Sequence, residues 1–112
     1  MNFRRYLILI MIALTMPLCG IAQEQLRQIY NQAESDYEIG RIEQACELLQ
    51  ENLPAFTGNL RQSAYRLLAL CYMSLDQEEK ARYYAELLVK YNNYYNSADD
   101  PARFQDLINQ LK

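Results

Sequence analysis

The sequence contains no histidine and no tryptophan. Without histidine there is no Ser–His or Cys–His nucleophile pair, and no imidazole to bind a metal. Glycine is almost as scarce, with Gly20, Gly40 and Gly58 the only three, so no glycine-rich phosphate loop can be assembled. No acidic loop has the spacing of a calcium site. Positive charge is in the minority, 11 basic residues against 14 acidic ones, which disfavours nucleic acid, whose binding depends on neutralising phosphates. The longest apolar run, from Tyr6 to Met16, falls short of the roughly 20 residues that a membrane-spanning helix needs.

That run nevertheless has a purpose. Arg4 and Arg5 precede it, and Gly20-Ile21-Ala22 offers small residues at the two positions a signal peptidase reads. Residues 1–22 are therefore expected to be an export signal, with the mature chain starting at Gln23 and working outside the cytoplasm. Two other readings of this segment stay open: an uncleaved anchor, and lipidation at Cys19, which alone would tie the protein to a membrane. Leu18 is bulky where a lipidation signal prefers a small residue. Removing Arg4 and Arg5 from the 11 basic residues leaves nine against 14 acidic ones, a net charge of −5.

The rest, 23–112, has the length of one small domain and reads as all-α. Leu26, Ile29, Tyr30, Ala33 and Tyr37 form one helical stripe, and Gly40 follows where a helix C-cap wants positive φ. Ile42, Ala45, Cys46, Leu49 and Leu53 repeat the pattern before Pro54 blocks continuation. After a connector over 54–58, Asn59 is expected to cap a third helix with Gln62 as its capping-box partner. Its stripe is Ala64, Leu67, Leu68, Cys71, Tyr72 and Leu75. Asp76 and Glu79 form a second expected capping box, ahead of Ala81, Tyr84, Ala85 and Leu88. Asp100-Pro101 marks a fifth helix start, with Phe104, Leu107, Ile108 and Leu111 on one face. The units are thus a first pair (23–53), a second pair (59–91) and a closing helix (100–112). Ala45 and Ala81 hold the same place in successive pairs, 36 residues apart.

Here the chain resembles the tetratricopeptide repeat, whose period is about 34. In the second pair, Tyr65, Leu68, Ala69, Tyr72 and Ala81 stand at the family's aromatic, large, small, aromatic and alanine positions. In the first pair Ala33, Gly40, Ile42 and Ala45 fit, while Ile29 and Gln32 depart from the pattern. The resemblance implies two helix hairpins in a right-handed stack with a capping helix. It also implies a binding scaffold whose concave face is lined by the first helix of each pair. Those positions include Arg27, Tyr30, Glu34 and Tyr37, then Arg66, Leu70 and Met73. Tyr30 and Glu34 stand where some relatives clamp a peptide carboxylate with Lys and Asn, so that clamp is not expected. On the same register Cys46 and Cys71 face each other across the junction between repeats. An even count of cysteines in an oxidising compartment raises the question of a disulfide. The alternative is two small buried thiols.

Ten tyrosines are the unusual feature of the composition, five of them between Tyr83 and Tyr95. They suit either a contact surface that stacks on a peptide or sugar, or packing between the fourth and closing helices. The Asp-Pro, two residues, Phe ending resembles exported segments that precede larger domains in envelope proteins of Gram-negative bacteria. A stand-alone relative and a truncated one are the two readings of this chain. The expected function is an exported, non-catalytic protein–protein interaction scaffold of the envelope, in the periplasm or associated with the outer membrane. It is expected to bind a protein or peptide, with no nucleic acid, small-molecule substrate, metal or cofactor. A small structural or lipoprotein-like accessory subunit of an outer-membrane assembly is the alternative.

Overall fold

The computed structural model describes residues 18–112, with side chains from Gln23 onward. Most of the expected export signal, including its charged and apolar parts, lies outside the described residues. Five α-helices and one 3₁₀ turn follow: α1 (Leu18–Glu38), α2 (Ile42–Asn52), the 3₁₀ turn Leu53–Ala55, α3 (Gly58–Ser74), α4 (Glu78–Tyr91) and α5 (Ala102–Leu111). The described residues are all-α, and none of their helices is long and apolar enough to cross a membrane. Helix α1 begins at Leu18, so it runs through the expected cleavage point between Ala22 and Gln23.

Helices α1 and α2 pack as one pair and α3 and α4 as another, with α5 against α4. The close approach within pairs rests on small residues. Ala33, Ala45 and Ala69 are fully buried and Ala81 very nearly so. Without bulk at these positions two helix backbones can come together, and Leu49, Leu67, Leu68 and Tyr72 fill the surrounding space. Helix α3 is the central element. It is covered on one side by the first pair, through Ala64, Leu67, Leu68 and Cys71, and on the other by α4 and α5, through Tyr65, Ala69 and Leu70. The connector contributes more than a link: Phe56 is fully buried against the first of these clusters. Arg61 donates from Nε to the Tyr65 hydroxyl at 2.6 Å and from Nη1 to the Phe56 carbonyl at 3.3 Å, tying the connector to α3.

The two pairs turn in the same way. After α1, Gly40 has φ +90°. Its N–H donates to the Tyr37 carbonyl at 3.2 Å and the Arg41 N–H to Asp36 at 2.7 Å. After α3, Asp76 has φ +57°, its N–H donates to Met73 at 3.1 Å, and the Gln77 N–H donates to Tyr72 at 2.9 Å. Both are Schellman endings, one closed by the expected glycine and one by an aspartate. Added bulk at Gly40 meets no atom within 4 Å, so the cost of Gly40→Ala is conformational alone, about 1–2 kcal/mol. Asp76→Gly is expected to act oppositely, stabilising by up to about 1 kcal/mol. Urea unfolding of the two variants, followed by circular dichroism, checks the pair of signs.

The structure corrects the three expected side-chain caps. Asn59 lies inside α3, whose cap residue is Thr57, and no side-chain cap bond forms there. Asp76 belongs to the end of α3, as above, while α4 is preceded by Gln77. Asp100 does not cap α5 either, because its carboxylate is used elsewhere. The closing face holds as expected in burial: Phe104 and Ile108 are fully buried, and Leu107 and Leu111 pack half-buried against the same cluster. On the outer side of the first pair, Gln25, Gln28, Ile29, Gln32 and Leu48 line an open, shallow depression.

Candidate functional site

Helices α1 and α3 lie side by side and run the same way, as successive contacts along them show. Near their N-terminal ends, Leu26 and Arg27 line an open trough with Asn59, Leu60 and Ser63. Further along, Tyr30 meets Glu34, Ser63 and Arg66. At the far end, Tyr37 faces Leu70, Met73 and Ser74. The seven residues expected on a concave face lie along α1 and α3, and they divide into three groups with different characters.

Arg27 is exposed. Tyr30 and Glu34 are half-buried, and burial, followed by the neighbouring Glu34 carboxylate, pushes the Tyr30 hydroxyl up to about 12. Arg66 departs from its expected role as a free contact residue. Its Nη2 and Nε lie 2.6 and 2.7 Å from Oδ1 of Asp100, whose side chain is only 5% exposed. The Tyr95 hydroxyl donates to the other carboxylate oxygen at 2.6 Å, and Gln105 Nε2 donates to the Asp100 carbonyl at 2.6 Å. Arg66 thus fastens the segment leading into α5. Burial first, and then the hydrogen bond to the Asp100 carboxylate, moves the Tyr95 hydroxyl upward.

Leu70 is also corrected. It is 3% exposed and belongs to the core beneath α5, contributing only to the floor of the groove above it. That groove, about 300 Å³, is walled by half-buried Tyr37 and Met73 on one side and by Pro101, Ala102 and Arg103 on the other. Arg103 is the only charged residue in its lining. Pro101, Ala102 and Arg103 were missed as groove residues because, by local rules, the Asp100-Pro101 segment marks a helix start and says nothing of what that helix packs beside. The signal available was spacing: Phe104 follows Leu68 by the same 36 residues that separate Ala45 from Ala81.

The cysteine pair left open as a disulfide consists of two free, buried thiols. They project from packed α2 and α3 into one core cluster, and each feels the other's environment. Burial pushes Cys71 up to about 12, with Cys46 adding to the rise, and burial likewise raises Cys46. Protonation is therefore favoured in the folded chain relative to the unfolded one. Stability that is full below the ordinary thiol value of 9.0 is lost as pH climbs toward 12, joined above 10.0 by the raised hydroxyls of Tyr30, Tyr72 and Tyr95. The melting temperature is expected to stay level up to about pH 9 and fall steadily beyond it. A thiol reagent added at pH 8 should label neither cysteine until denaturant is present.

The tyrosine-rich stretch divides. Tyr84 stacks on Tyr72 with centroids 5.6 Å apart, and Tyr95 meets Phe104 edge-on at 6.5 Å. Tyr83, Tyr91 and Tyr94 point outward, Tyr94 at 92% exposure. No family model, curated protein or solved structure matches this chain.

Proposed function

We propose that this chain is an exported, non-catalytic scaffold of the cell envelope, built as two tetratricopeptide-like hairpins in a right-handed stack with α5 as its cap, and that it binds a segment of another protein on the α1–α3 face. One observation carries the reading: α1 and α3 lie side by side in the same direction and, with α5, leave an open groove floored by Leu70 and walled by Tyr37 and Met73. The matching Schellman turns and the buried alanines at corresponding places in the two pairs support the repeat reading. The expected export signal supports the location.

Ser74 is exposed, lines this groove and lies in the last turn of α3, where a cation suits the helix dipole. Ser74→Arg should therefore fill the groove without unfolding the chain. Affinity capture from envelope extracts is expected to yield a partner that the Ser74→Arg protein no longer retains. Glu47→Arg, on the exposed side of α2, should still retain it. Equal recovery by both variants would overturn the assignment of this face. N-terminal sequencing checks the location: a start at Gln23 supports it, a lipid-modified Cys19 changes the processing enzyme, and retained Met1 refutes cleavage.

A further inference from the structure

A second groove, about 380 Å³, lies between the N-terminal part of α4 and the outer side of α5. It shares Met73 and Arg103 with the groove described above, and Ala81 and Leu107 join Met73 to form its floor. Its rim is charged, and the charges do not cancel. Arg82 faces Glu86 at 3.6 Å, and Arg103 faces Glu78 at 3.7 Å. Both arginines are thus occupied by carboxylates. Glu79 and Asp106 line the same groove, are exposed, and have no ion-pair partner among the described residues.

We infer that the α4–α5 groove docks an apolar segment of a partner protein that carries lysine or arginine. The apolar side chains lie on Met73, Ala81 and Leu107, and the cation meets the carboxylates of Glu79 and Asp106. The neighbouring groove has no carboxylate in its lining to receive the same cation. The two grooves therefore select different chemistry although they adjoin. The acidic surplus of the whole chain adds a long-range attraction for such a segment.

The lack of tryptophan in the chain makes a direct test available, because a tryptophan on a peptide then reports alone. One ten-residue peptide places leucine and lysine around a single tryptophan, and its twin has glutamate in place of lysine. Titration with the full chain is expected to shift the emission of the lysine peptide to the blue and to leave the glutamate twin unchanged. Glu79→Gln combined with Asp106→Asn should weaken binding about fivefold at low salt. Raising salt to about 0.5 M should weaken the unmodified protein similarly. Ser74→Arg, which blocks only the adjoining groove, should bind the lysine peptide as before, so failure of the concave-face reading is distinguishable from failure here. Circular dichroism melts confirm that the variants remain folded. Equal binding of the two peptides, absence of a shift with either, or insensitivity to both the double substitution and salt would overturn the inference.

Discussion

Replacing Phe104 with alanine is expected to destabilise the protein by about 3–5 kcal/mol. The ring is fully buried within the cluster formed by Tyr65, Ala69, Leu70, Ala85, Leu88 and Ile108, and Tyr95 meets it edge-on. Truncation removes the transfer energy of the ring and leaves a cavity at the junction of α3, α4 and α5. These walls can close only partly, since Leu70 and Leu88 are themselves anchored in helices packed elsewhere. A domain of this size has a total stability of about 5–15 kcal/mol, so the loss is a large part of the whole. Urea unfolding at 25 °C measures it, with exposed Asn109→Ala as the near-neutral control. A loss below about 1 kcal/mol would show that α5 is an appendage, and its apolar face would become the first place to look for a partner.

Arg66→Ala is expected to cost about 2–4 kcal/mol, more than an ordinary ion pair. Asp100 is nearly fully buried, and removing the guanidinium leaves its carboxylate with the Tyr95 hydroxyl alone. The main penalty is the unpaired buried charge, not the lost attraction. Asp100→Asn keeps the shape and removes that charge. The double variant Arg66→Ala with Asp100→Asn should therefore recover part of what Arg66→Ala loses. A double-mutant cycle on urea midpoints reads this coupling. If the double variant is no more stable than Arg66→Ala, the carboxylate is solvated and the contact is not a fastening.

The helices were legible in the sequence because their apolar residues recur at helical spacing. The stripes of α2, α3 and α4 and the closing face of α5 are the ones that are buried. Gly40 was legible because a helix ending with positive φ favours glycine. Its counterpart Asp76 was not: an acidic residue ahead of a helix reads as an N-cap, while here it supplies the left-handed turn that ends the helix before it. Asp100 was misread for the same reason. A local rule places it as a cap, and a partner 34 positions away in the chain, Arg66, takes the carboxylate instead. Phe56 looked like connector because its burial depends on how the two pairs meet. The proposed binding face was legible only as a set of positions. Helical spacing places Arg66 and Leu70 on the α1–α3 side but cannot tell that Asp100, ahead of α5, engages the one and that α5 covers the other.

The glutamines on the outer side of the first pair bear on assembly. Gln28 and Gln32 occupy the places that Ala64 and Leu68 occupy in the second pair, where those residues are buried against the first. An amide on an open surface keeps its water, and covering it without replacing those hydrogen bonds is unfavourable. Helical arrays grow by laying one bare apolar side on the next, and a stack with such a side at its end is prone to polymerise. Here Gln28 and Gln32 stand beside Ile29 and Leu48, so a copy laid on that side would have to strip water from both amides. End-to-end stacking of copies is thereby disfavoured on this side of the molecule.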